Sequence, residues 1–316
     1  MKAVFIKEQG GVEVMMYGEF PQPSVGPGEV LLRMKATALN RRDVFTREGS
    51  HGVKPPMPQL LGMEAAGEVA QLGAGVTRFK VGDRVLGQCT GGSYGEYVRA
   101  QEIDLHPMPD WMSYEEAACL TVAFSTAWHM LVCRANLRPG EDVLVMAAGS
   151  GIGSAAIQVC KLVGARVLTT ASTEEKLAKA KELGALEGIN YRSIPGWSRR
   201  VKELTDGQGV DLVFEHIGEP VWEQCYASMK RGGRFITSGV TAGHWVKLHL
   251  GQLWTRDLTL MGTSMRPRED MSTIMKFVRA RQLRGVVGPV FPLREAAKAH
   301  ETMERSEFFG KIVLVP

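Results

Sequence analysis

No apolar run in this chain approaches the roughly 20 residues that a membrane-crossing helix needs. The opening Met1-Lys-Ala-Val-Phe-Ile-Lys-Glu8 sets charges directly into its apolar stretch, which a signal peptide does not do. A cytoplasmic location is therefore expected. Cysteine is scarce and dispersed, at Cys89, Cys119, Cys133, Cys160 and Cys225, with no C-x-x-C pair. An odd, scattered set reads as reduced thiols, most of them small core residues, and not as a disulfide framework. Excess charge of one sign is also lacking: 38 Lys and Arg against 34 Asp and Glu leave only +4. Basic runs at Arg199-Arg-Val-Lys202 and Arg279–Arg284 read as solvated helix faces ahead of a nucleic-acid surface. A phosphorylated cofactor could use part of the excess. What remains, at 316 residues, is an ordinary globular composition long enough for two cores.

The most informative stretch present is Glu141–Gln158. It reads as a buried parallel strand, Val143–Ala147, then a glycine loop, Ala148-Gly149-Ser150-Gly151-Ile152-Gly153, then a helix from about Ile152. Such a loop lets backbone approach a pyrophosphate, and the helix N-terminus supplies N–H groups and a positive dipole end. Alone it is weak, since glycine also serves plain turns and helix–sheet packing. The rhythm downstream strengthens it. Apolar runs begin near Val167, Ile189, Asp211, Arg234 and Leu258, at spacings of roughly 22 to 24 residues that fit one strand plus one crossover helix. Between the first two of these, Leu177, Ala180 and Leu183 form one apolar stripe and Gly184 ends the helix. A doubly wound parallel sheet is expected, with its ligand beyond the C-terminal ends of the strands.

Residues before about Phe124 behave differently. Short strand candidates (Ala3–Ile6, Val30–Ala36, Gly67–Gln71, Arg84–Leu86, Gly95–Val98) alternate with Gly and Pro turns, as in a barrel-like β domain. A helix near Met271–Arg281 follows the last parallel strand, and the tail Gly310–Pro316 is expected to return to the first domain.

Six motifs in sequence order, Asn40-Arg-Arg-Asp43, Leu61-Gly-Met-Glu-Ala-Ala-Gly-Glu68, Val81-Gly-Asp-Arg-Val85, Gly95-Glu-Tyr-Val98, Ser125-Thr-Ala-Trp128 and Gly149-Ser-Gly-Ile-Gly153, carry a family likeness. Together they resemble the medium-chain dehydrogenase/reductase superfamily, specifically its zinc-free quinone oxidoreductase branch. The resemblance implies an α/β protein with a GroES-like β-rich catalytic domain (1–124 and 266–316) and an inserted Rossmann domain (125–265), the active site lying in the cleft between them. It also implies a homodimer paired through a sheet edge near Trp254 and Leu258–Met261.

Zinc-dependent relatives have Cys, His and Cys where this chain has Asn40, Met63 and Val122, and Cys119 lies three residues from the last. Amide, thioether and isopropyl groups do not make the N/S set that zinc takes. The run of four cysteines of the structural zinc lobe is missing too, with only Cys89 nearby. No metal is therefore expected, and the acceptor should carry its own electron sink, as a quinone or an α,β-unsaturated carbonyl does.

NAD-preferring Rossmann domains place an acid at the end of the second strand. Here Ala171 stands there, followed by Ser172, Thr173 and Lys176, which offer donors and charge for a 2′-phosphate. NADP(H) is the expected cofactor, with Tyr191 joining by resemblance, although Ser172 and Thr173 also suit a helix cap. His216, Gly239 and Lys311 are expected along the cofactor path. Among candidate catalytic groups, Asn40 replaces a zinc ligand and faces substrate and nicotinamide by resemblance, or is a turn residue. Thr126 resembles the threonine beside the nicotinamide, or caps a helix. Tyr94 is a candidate proton donor or a packing residue, with water the alternative donor. Asp43 and Glu64, which by resemblance sit behind the metal ligands in the zinc enzymes, are expected to pair with arginines. Loops Arg47–Pro58 and Ala242–Leu253 are expected to shape the substrate pocket. The expected activity is NADPH-dependent reduction of a quinone or enone. The alternatives are an alcohol dehydrogenase-like enzyme and a non-catalytic NADPH sensor or RNA-binding protein.

Overall fold

The computed structural model describes residues 1–264 and 268–316. The chain divides into two compact units, Met1–Val122 with Met271–Pro316, and Ala123–Asp270. The domain boundary expected between 265 and 266 lies outside the described residues.

In the first unit, the valine- and leucine-rich strand Glu29–Ala38 is the spine. It pairs antiparallel with Glu64–Leu72 along one side, and with Tyr97–Gln101 and then Lys311–Val315 along the other. Because side chains alternate across a strand, Val30, Leu32 and Met34 enter one core with Val69, Val85, Val98 and Leu105. The tail returns as the sequence suggested, with Val313 opposite Ala38 and Leu314 opposite Thr37. Directly after the spine, helix Arg41–Glu48 starts at Asn40, whose N–H donates to Asp43 Oδ2 at 2.9 Å. It stops at Gly49, where φ is +77°, a left-handed cap that glycine adopts without strain.

The second unit is a six-stranded parallel sheet in the order Glu187–Asn190, Arg166–Ala171, Asp142–Val145, Val210–Glu215, Met229–Thr237, Thr259–Gly262. Numbered by appearance this is 3-2-1-4-5-6, the doubly wound order whose direction reverses between the first and fourth strands. Leu144, Leu168, Ile189, Val213 and Phe235 pack with Trp222 and Tyr226 on the sheet. The expected stripe of Leu177, Ala180 and Leu183 is the buried face of helix Glu174–Leu183, and Gly184 is its C-cap. The fold class read from the sequence is the one the structure has: a GroES-like β-rich unit and a Rossmann unit.

Candidate active site

The glycine loop sits at the switch point of the parallel sheet. Strand Asp142–Val145 ends, Ala147 turns at φ +51°, and helix Gly151–Val163 begins from the N-cap Ser150. Ser150 Oγ accepts the Gly153 N–H at 2.9 Å and donates to the Ala147 carbonyl at 2.9 Å. The N–H groups of Gly151 and Ile152 precede any intrahelical acceptor, as in every first turn, and suit an anion. A Cβ on Gly153 would stand 2.2 Å from the Ala147 carbonyl oxygen, so only glycine lets the helix approach the strand this closely. Across the switch point, His216 follows the fourth strand, with Nε2 3.4 Å from Ser150 Oγ. Ala148, Gly149, Ser150, Gly151, Ile152, Gly153 and His216 are thus brought to one place, where the N–H groups of Gly151 and Ile152 fit an anion such as a pyrophosphate.

Beside His216, buried Glu215 braces the loop. It accepts the N–H groups of Ile217 and of Gly218, the latter at 2.8 Å, and lies 3.4 Å from Thr237 Oγ1. Burial pushes its carboxyl up, and these hydrogen bonds offset part of that. Thr237 Oγ1 also donates to the Gly239 carbonyl at 3.1 Å, where Gly239 holds φ +111°.

At the end of the second strand, Ala171 is buried, and no acid follows until Glu174. Thr173 Oγ1 caps helix Glu174–Leu183 by accepting the Lys176 N–H at 3.3 Å. Ser172 and Lys176 are half-buried and Tyr191 is exposed. Tyr191 joins this edge through its N–H, 3.2 Å from the Ala171 carbonyl. The cap bears out the capping reading of Thr173 and does not exclude the phosphate one.

The first unit gathers a second constellation. Glu64 opens its strand fully buried. Its Oε1 ion-pairs with Lys311 and accepts from Asn40 Nδ2 at 2.9 Å, while Oε2 accepts the Val122 N–H at 2.8 Å. Lys311 Nζ also donates to Asn40 Oδ1 at 2.8 Å, and Asn40 Nδ2 donates to the Ala38 carbonyl at 3.3 Å. Lys311 spends its charge on Glu64 and Asn40, because a buried carboxylate without a cation is costly. One expectation is corrected here. Glu64 pairs with that lysine and not with an arginine. Asn40, with both amide hydrogens and its oxygen engaged, acts in this arrangement as the clip between Lys311 and Glu64.

Among the described residues, Asp43 likewise has no arginine as a hydrogen-bond partner. Its Oδ2 accepts from the Asn40 N–H and from the Tyr94 hydroxyl at 3.1 Å. Tyr94 Oη lies 3.2 Å from His300 Nε2, and His300 Nδ1 lies 3.4 Å from Arg47 Nη1. Arg47 donates to Glu304 at 2.6 Å, Glu48 at 2.8 Å and the Gly10 carbonyl at 3.2 Å. The donor pattern assigns a neutral His300 with its proton on Nε2. Burial, helped by the charges of Arg47 and Arg41, pushes His300 down to about 3. Burial also pushes the Asp43 carboxyl up to about 7, against the pull of the Asn40 N–H, Lys311 and Tyr94. Tyr94 is raised well above its ordinary value by burial and by Asp43. With no exposed surface, Tyr94 is a packed, bonded residue and is corrected as a proton donor to substrate. Arg47 is a core residue too, and not a pocket liner. Thr126 lies inside helix Thr121–Trp128 in the second unit, so the capping alternative does not describe it.

Family models match both parts of the chain: the alcohol dehydrogenase GroES-like domain over residues 26–110 and the zinc-binding dehydrogenase over residues 151–280. The quinone oxidoreductase of Pseudomonas aeruginosa is 34% identical over all of this chain and 99% of its own length. The chain belongs to the medium-chain dehydrogenase/reductase superfamily, in its quinone oxidoreductase branch. Among solved members, a structure described as an NAD-dependent alcohol dehydrogenase is 39% identical, with TM-score 0.95 and complete coverage of both chains. The Escherichia coli quinone oxidoreductase complexed with NADPH is 29% identical, with TM-score 0.90 and complete coverage of both chains.

Within this family frame, sequence reasoning missed Glu215, His300 and Arg47. Glu215 had a usable signal, an acid at the end of a predicted strand directly before His216. His300 and Arg47 had none, since only the fold brings them together.

Proposed function

We propose that this protein transfers hydride from NADPH to a quinone or an α,β-unsaturated carbonyl without a catalytic metal. That it is an NADPH-dependent oxidoreductase rests on its branch of the family, a member of which carries NADPH in its crystal structure. The substrate class and zinc independence rest on the first-unit constellation. Three positions that hold zinc in relatives carry Asn40, Met63 and Val122, and beside Glu64 the cation is Lys311. A lysine ammonium tied to a carboxylate and an amide is not an open Lewis-acid position. The acceptor must then spread developing charge by its own conjugation.

When bound, the dinucleotide supplies the hydride. The chain's residues bind and position it: first-turn N–H groups, held by the Ser150 cap, take the pyrophosphate, while Ser172, Thr173, Lys176 and Tyr191 surround a 2′-phosphate where Ala171 leaves room for it. Thr126 holds the nicotinamide end. Water supplies the closing proton, because Tyr94 is sealed in its network.

The single observation that carries the reading is the Asn40–Glu64–Lys311 cluster. Its test is NADPH oxidation against a panel of quinones and enals, with and without chelator. Turnover of these acceptors, unchanged by chelation and faster with NADPH than NADH, is the expected result. The likeness to an NAD-dependent alcohol dehydrogenase favours a second reading, and chelator-sensitive oxidation of simple alcohols with NAD would establish it instead.

A further inference from the structure

Outside that constellation, one group of side chains in the second unit converges without serving the proposed reaction. His129 opens a π-helical turn, His129–Arg134, and Cys133 lies four residues on, so both project from one side of it. Such turns interrupt α-helices frequently at functional places. Asp270, in the first turn of helix Arg268–Arg279, faces them: Oδ2 is 3.2 Å from His129 Nδ1, and Oδ1 is 3.4 Å from Cys133 Sγ. One donor atom from each residue lies within 4.8 Å of the other two, and this is the one such His/Cys/Asp/Glu group among the described residues.

We propose that His129, Cys133 and Asp270 form a binding site for a zinc-class transition-metal ion, with a fourth position open to water. The spacing fits. Bonds of about 2.0–2.3 Å to N, O and S at tetrahedral angles put neighbouring ligand atoms about 3.3–3.6 Å apart, close to the 3.2 and 3.4 Å of the two edges at Asp270. An ion entering there exchanges two hydrogen bonds for three coordinate bonds, and the remaining edge, from His129 to Cys133, lies within 4.8 Å and closes as the ion binds. The donor set selects the metal: imidazole and thiolate favour zinc, cobalt or copper over magnesium and calcium, which take oxygen. Coordination requires the thiolate, so the Cys133 proton leaves to solvent as the metal–sulfur bond forms. All three ligands belong to the second unit, whereas Asn40, Glu64 and Lys311 belong to the first, so this site does not stand in for the absent catalytic zinc ligands.

The test uses full-length protein, stripped with chelator, kept reduced by a phosphine and titrated with Co²⁺. One equivalent should produce a thiolate-to-cobalt charge-transfer band in the near ultraviolet, and Zn²⁺ should abolish it. Cys133→Ser should remove the band and weaken binding by more than about 100-fold, beyond the 10–100-fold that loss of a mere outer partner costs. His129→Gln should retain the band but need far more cobalt to reach it. Absence of a band at millimolar cobalt would overturn the site, and so would a band that survives in Cys133→Ser.

Discussion

At the scale of single residues, the first unit's buried chain from Asp43 through Tyr94 to His300 sets two opposed proton equilibria against each other. Folded Asp43 holds its proton up to about pH 7, while the unfolded carboxyl loses it near 3.8. Over that range the native state binds more protons, so this group's stabilisation is complete below 3.8 and fades as pH rises through 7. His300 runs the other way. It stays neutral in the fold down to about 3, whereas the unfolded ring gains its proton near 6.5. Its contribution is complete above 6.5 and fades as pH falls toward 3. Each is worth a few kcal/mol, by about 1.4 kcal/mol for every tenfold change in proton affinity. Between about pH 4 and 6.5 they oppose, and the wild type should show little pH dependence from this pair. Asp43→Asn should leave stability rising with pH across that window, and His300→Gln should leave it falling. Urea unfolding of the three proteins at several pH values reads the slopes, and parallel profiles would sink the assignment.

At the scale of elements, the glycine loop offers the sharpest test of what glycine does there. Alanine is the better helix former by about 1 kcal/mol, so Gly153→Ala in a free helix would stabilise. Here the new Cβ meets the Ala147 carbonyl oxygen at 2.2 Å, and backbone on both sides must move. A net loss of about 1–3 kcal/mol is expected, together with weaker dinucleotide binding as the first turn shifts. Thermal melts and NADPH fluorescence titration check it, and an unchanged melting temperature with unchanged affinity refutes the close-approach account. This element was legible in the sequence because its whole cause is local: an apolar run, a loop and a helix stripe within about 20 residues, repeated at the period of a crossover unit. The first-unit cluster was not. Lys311 meets Asn40 across 271 residues of chain, and nothing near Gly310-Lys-Ile-Val names its partner. Family likeness located Asn40 and Glu64 but held no signal for the cation beside Glu64, so an arginine is expected where Lys311 sits. Tyr94 fails for the same reason, since glycine neighbours do not reveal that Asp43 and His300 close over its hydroxyl.

At the scale of the whole molecule, the edge of the parallel sheet argues for a second copy of the chain. Strand Thr259–Gly262 ends the sheet, pairing with Met229–Thr237 on one side. An open edge strand presents backbone donors and acceptors that a like strand can satisfy. Near it in sequence, Trp245, Leu250 and Trp254 are 88%, 66% and 74% exposed. Large aromatic and aliphatic side chains left in water so close together along the chain mark an interaction surface more often than a solvated one. Among the described residues no helix is long and apolar enough to cross a membrane, so a bilayer-spanning helix does not account for them. A homodimer would account for them, if the strand edges continued one sheet into the next and covered the tryptophans. Sedimentation at micromolar concentration should return about twice the 34.6 kDa chain mass. Replacing Trp245 and Trp254 together with arginine should halve the mass while leaving the fold intact, because neither side chain belongs to a core cluster. A wild-type monomer would refute the dimer, and a double variant that still dimerises would place the contact elsewhere.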